Sequence, residues 1–143
     1  MRIYYIFKIN EELLNITKNN PEKLYEALES IYMASEENLC TGLDLYKKIT
    51  KKIKKDELNM LIKDIYSENI NYTNYLNIHT YNDYFRGEET KIYINNSYIK
   101  IKTNINYPIF LNDVKNIKNL FVCDFINLDY FWLKEYVIYM VSK

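Results

Sequence analysis

Apolar and polar positions alternate at the start of the chain. In residues 3–9, IYYIFKI, the side chains of Ile3, Tyr5, Phe7 and Ile9 fall on one face of an extended segment and those of Tyr4, Ile6 and Lys8 on the other, since successive residues of a strand point to opposite faces. Both faces are largely apolar, which predicts a strand at or near the centre of a sheet. The densest apolar stretch lies near the other end, at residues 119–133, NLFVCDFINLDYFWL. Residues 120–126 form a nearly continuous β-favouring run, too short for a typical helix, and read as a strand covered on both faces in which Asp124 is the one interruption. Asn127-Leu128-Asp129 is turn-like. The cluster Tyr130-Phe131-Trp132-Leu133 behind it is expected in the core, each aromatic burying on the order of 150–250 Å².

Between these ends the period changes. Asn10 suits a cap for a short helix over residues 11–18, with Glu11 and Glu12 at its positive end. Pro21 suits the first turn of a second helix reaching residue 36, whose stripe is Leu24, Tyr25, Leu28, Ile31, Tyr32 and Ser35. Residues 36–42 read as a turn region, with Gly42 able to supply a positive φ. Leu45, Ile49 and Ile53, then Leu58, Leu61, Ile62 and Ile65, predict two more helices over residues 44–52 and 56–67. Alternation with period two returns at residues 75–81 and 91–103, the second read as a hairpin turning at Asn95-Asn96-Ser97. Tyr107-Pro108 opens a helix carrying Phe110, Leu111, Val114 and Ile117. The expected architecture is a single α+β domain over residues 1–143, with about five strands in a mixed sheet and helices mostly on one face.

Composition narrows the class. A chain of 143 residues buries about 68–70% of its unfolded surface in one core without disulfides or metal. With 48% apolar and 27% charged residues and no run of about 18 apolar residues, a membrane span is not expected. The opening residues pass straight to Lys8 and Asn10 with no small-residue cleavage site, so a cytoplasmic location is the expectation; separately, the chain is expected to be a monomer. Basic and acidic residues balance at 19 each, and apart from Arg2 and Arg86 every basic residue is lysine. That argues against a dedicated nucleic-acid binder, which shows a net basic footprint and leans on Arg, and favours protein partners.

Candidate chemistry is sparse. Cys40 and Cys123 stand far apart with no CxxC spacing and read as reduced thiols. Gly42 and Gly87 are the only glycines, which excludes GxGxxG and P-loop motifs. His79, the lone histidine, cannot assemble a zinc site with two distant cysteines and reads as a hydrogen-bonded strand residue. Pairs such as Glu11-Glu12 and Asp56-Glu57 sit at predicted helix starts, where the dipole accounts for them. Asp124 must find donors or take up a proton, and the simplest reading is a bond to a neighbouring loop at the strand's end. No catalytic, cofactor or metal residue is assigned. Six of the nine residues 47–55 are lysine, a solvated helix face or, in an alternative reading, the phosphate-contacting segment of a nucleic-acid-binding module.

Two segments resemble a known family. YYIFKINEEL at residues 4–13 and LFVCDFINLDYFWL at residues 120–133 look like the corresponding segments of the SirA family, the sporulation inhibitors of replication of spore-forming Firmicutes. The resemblance implies a non-enzymatic inhibitor without cofactor that binds the N-terminal domain of the replication initiator DnaA and blocks new rounds of replication at the onset of sporulation. It also implies a partner-contacting surface on the short helix after the first strand, where the family carries aromatics one turn apart. Matching YYIFKINEEL places Leu13 and Thr17 there. Both depart from the aromatic pattern: Leu13 keeps an apolar anchor, and Thr17 offers much less area than an aromatic hot-spot residue.

Overall fold

The computed structural model describes residues 1–34 and 38–134. Strand β1 (Arg2–Lys8) leads into a 3-10 turn (Glu11–Leu13) and a short helix α1 (Leu14–Thr17). Helices α2 (Pro21–Tyr32), α3 (Leu39–Ile49) and α4 (Lys55–Ile65) follow. Four strands come next, β2 (Tyr72–Tyr75), β3 (Ile78–Asp83), β4 (Glu88–Ile94) and β5 (Ile99–Thr103). Helix α5 (Ile109–Val114) and strands β6 (Leu120–Asp124) and β7 (Asp129–Trp132) complete the described chain. None of the described helices is long and apolar enough to cross a membrane.

The class is α+β as expected, but the sheet corrects the expected form in three ways. It has seven strands, in the order β2-β3-β4-β5-β1-β6-β7, where about five were expected. The two extra strands are β2 and β7, each joined to its neighbour by a turn whose positive φ falls on a leucine, Leu76 or Leu128, rather than on a glycine. Second, every neighbouring pair is antiparallel rather than mixed. β5 and β6 do run the same way, but β1 lies between them and pairs with both, Tyr5 facing Lys100 on one side and Cys123 on the other.

Third, helices cover both faces rather than mostly one. The alternation of β1 divides the core: Tyr4 and Ile6 pack with Leu58 and Ile62 of α4 and Phe110, Leu111 and Val114 of α5. Phe7 and Ile9 pack on the opposite face with Leu24, Tyr25 and Leu28 of α2 and Ile49 of α3. β6 divides in the same way, Val122 to the first face and Phe121 and Cys123 to the second.

The lysine-rich segment is where the chain changes faces. α3 stops at Ile49 because Thr50 is extended (φ −108°, ψ 159°) and bridges Ile9. The amide of Ile53 then donates to the carbonyl of Asn96 at 2.7 Å. Ile49 and Ile53, spaced as one helical stripe, therefore enter opposite cores. The helix expected over residues 44–52 in fact begins at Leu39, inside the expected turn region, and ends at Ile49.

Candidate functional site

α2 and α3 cover the second face only over β1, β6 and β7. Beside them opens a cleft of about 480 Å³, within the range of ligand-binding clefts. Tyr5 and Phe7 of β1 form its floor, Leu28, Ile31 and Tyr32 its α2 wall, and Leu43 and Tyr46 its α3 wall. Ser97 and Tyr98, from the turn before β5, close the far side. Each aromatic is placed by its own element. β1 alternation aims Tyr5 and Phe7 to this face, Tyr32 ends the α2 stripe, and Tyr46 is anchored by its hydroxyl donating to the Ser97 carbonyl. The rings touch: Tyr5 lies 5.3 Å from Tyr32, 5.8 Å from Tyr98 and 5.6 Å from Phe125, and Phe7 packs edge-on to Tyr46 at 6.0 Å.

Charge around this cleft is one-sided. Lys47, Lys51 and Lys52 line its rim, and its described lining holds no Asp, Glu, His or Cys. None of the three lysines pairs with a described carboxylate. Burial, then the Tyr32 hydroxyl, push the Tyr5 phenol up to about 12, and burial also pushes Tyr46 up to about 12, so both rings stay neutral near pH 7. The described lining thus sets neutral aromatic rings beneath ammonium groups.

The residues that carry the family resemblance sit elsewhere. Leu13 is half-buried against the second core, as is Leu14, so the two leucines share an environment. The Thr17 hydroxyl donates back to the Leu13 carbonyl at 2.8 Å, which ties it to its own helix. The exposed apolar side chain of α1 is Ile16, 66% accessible, one turn from Leu13 and not singled out by sequence reasoning. Residues 11–13 wind as a 3-10 turn, which rotates each residue about 20° more than an α-helix does and brings Leu13 and Leu14 onto the same side.

Asp124 and His79 have structural work. Asp124 ends β6 almost fully buried, accepts from the Asn127 amide at 3.1 Å and its Nδ2 at 2.7 Å, and pairs with Arg2 Nε at 3.1 Å. Burial alone would raise its carboxyl, but the Asn127 bonds and Arg2 outweigh that and hold it below the ordinary range. His79 is fully buried in β3 and bonds Asn59 of α4 and Tyr72 and Asn74 of β2. Among the described residues no group of three His, Cys, Asp or Glu side chains is arranged to hold a metal.

Compared with known proteins, the chain matches no family model and no curated sequence.

Proposed function

We propose that this chain is a non-enzymatic regulator of the kind the SirA resemblance implies, acting in the cytoplasm as a monomer by binding the N-terminal domain of the replication initiator DnaA. The observation that supports it is that the two resembling segments are neighbours in space. β1 and β6 pair in register, Tyr5 with Cys123 and Phe7 with Phe121, and β7 continues the sheet with Phe121 facing Trp132. Arg2 joins both segments through Asp124 and Asp129, 3.1 and 3.2 Å away. α1 emerges from that unit directly after β1.

Calorimetric titration of the purified chain with the initiator's N-terminal domain from the same organism is expected to give saturable binding, and no association at tens of micromolar would remove the reading. Ile16→Glu is the variant that separates binding from folding. At an exposed position the charge shifts stability by under about 0.5 kcal/mol, whereas in a desolvated interface it weakens binding by several kcal/mol. Leu13→Glu is expected to lower the melting temperature as well, because Leu13 packs on the core. Equal binding by Ile16→Glu and wild type would move the interface off α1.

A further inference from the structure

Beyond the cleft, the same sheet face continues across β5 and β4 with no described helix over it. One row of paired positions runs Tyr5, Lys100, Tyr93 and Ile78, and the next runs Ile3, Lys102, Lys91 and Thr80. The Lys100 ammonium lies 5.9 Å from the Tyr5 ring centre and 5.5 Å from that of Tyr93, a cation held between two aromatics. Lys91 and Lys102 stand directly opposite each other, an arrangement that costs stability unless an anion screens it. No described carboxylate pairs with either. Glu89 shares this part of the face and lines one shallow pocket with Lys91 and Lys102, at the end away from the cleft, where its amide donates to Asn104 Oδ1 at 2.8 Å. In a chain of zero net charge, six lysines are thus gathered with tyrosines on one continuous face: Lys47, Lys51 and Lys52 at the cleft rim, then Lys91, Lys100 and Lys102.

We propose that this face binds single-stranded nucleic acid without sequence preference, its phosphates on the lysines and its bases stacked on the tyrosines. Rings interleaved with ammonium groups are the two elements such binding uses, because every base has a π-face and every nucleotide a charge. An acidic peptide is the weaker fit: β1, β4 and β5 are interior strands with both edges paired, so the face has no free backbone edge on which to add a strand. Duplex recognition is also disfavoured, since Arg2 is engaged by Asp124 and Asp129 and no described helix protrudes from this face to enter a groove. The proposal is independent of the initiator reading, whose surface is α1.

Fluorescence anisotropy of a labelled oligothymidylate of about 15 nucleotides, titrated with the full chain, tests it. With about four phosphates neutralised, affinity is expected to fall about 50-fold between about 50 and 200 mM salt. The double variant Lys51→Glu and Lys52→Glu, at exposed positions, is expected to weaken binding at least about tenfold with an unchanged melt, and Tyr98→Ala to weaken it by a similar factor through lost stacking. Absence of binding at the lower salt, equal or tighter binding of a duplex of the same length, or displacement of the oligonucleotide by polyglutamate at equal charge would each overturn the proposal. Ile16→Glu is expected to bind the oligonucleotide as wild type does, so the two readings fail separately.

Discussion

Replacing Asp124 with alanine is expected to cost about 3 kcal/mol of stability at neutral pH, measured as a lowered urea midpoint with an unchanged slope. Asp124 is 1% exposed and holds three bonds at once, two from Asn127 and one from Arg2. Truncation leaves the Asn127 amide without its acceptor and removes the more buried partner of the Arg2 ion pair. Leaving such groups unpaired costs more than the net worth of the bonds themselves. Arg2→Ala is expected to cost less, because Arg2 is partly exposed and its second partner, Asp129, is largely in water. The pH dependence separates this from a packing defect. A carboxyl held below its ordinary range contributes stability that is fully present above the unfolded value near 3.9 and lost as pH falls through the folded value. The gap between wild type and Asp124→Ala should therefore narrow in acid below that range, and a gap that stays constant would mean that packing, rather than the charge, is what Asp124 supplies.

Much of this fold is legible where periodicity is long and undisturbed. The alternation of residues 3–9 marks β1 as an inner strand, Pro21 marks the start of α2, and the run from Leu120 marks β6. Less was legible where two physical effects overlap. Ile49 and Ile53 have helical spacing, yet the extended Thr50 between them sends the two side chains to opposite cores, and with them the helices to opposite faces. The turn at Leu76 carries its positive φ on leucine inside an apolar alternation, so residues 75–81 read as one strand and β2 is missed, whereas Asn127-Leu128-Asp129 marks its turn and only the strand character of β7 behind it goes unread. The cleft was invisible for a different reason. Tyr5, Tyr32, Tyr46 and Tyr98 come from four separate places in the chain and meet only once the sheet is assembled, whereas the lysine run that rims the cleft is plain in the chain and fits a solvated helix face or a phosphate-contacting segment.

Acidification from pH 7 towards 4.5 is expected to destabilise the fold through His79, and His79→Gln to flatten that loss. The hydrogen bonds fix the state of the imidazole. The two Asn74 Nδ2 hydrogens go to the carbonyls of Leu76 and Ile78 at 3.0 Å, and Asn59 Oδ1, an acceptor beside Nε2, fixes the imidazole proton there, which leaves His79 Nδ1 as the accepting nitrogen. The Tyr72 hydroxyl donates to the same nitrogen at 2.6 Å, and the Nε2 proton goes to Asn59 Oδ1 at 2.7 Å. A second proton on Nδ1 would face the Asn74 amide hydrogens and force the Tyr72 hydroxyl to give up its donated bond and turn round to accept. Burial, reinforced by Lys63, lowers the imidazole from 6.5 to about 4. The unfolded chain therefore binds a proton that the folded chain refuses, and stability present above pH 6.5 is lost as pH falls towards 4, by about 3 kcal/mol at most. Asp113, raised by burial, works in the opposite direction as pH falls, so the decisive quantity is the difference between wild type and His79→Gln rather than either curve alone. Thermal melts of both proteins at half-unit steps from pH 7.5 to 4.5 provide it. A difference that shrinks with acid places a neutral His79 as the polar tie between α4 and the β2–β3 hairpin; parallel curves would mean that His79 titrates in the folded protein as it does in water, and the buried network would have to be redrawn.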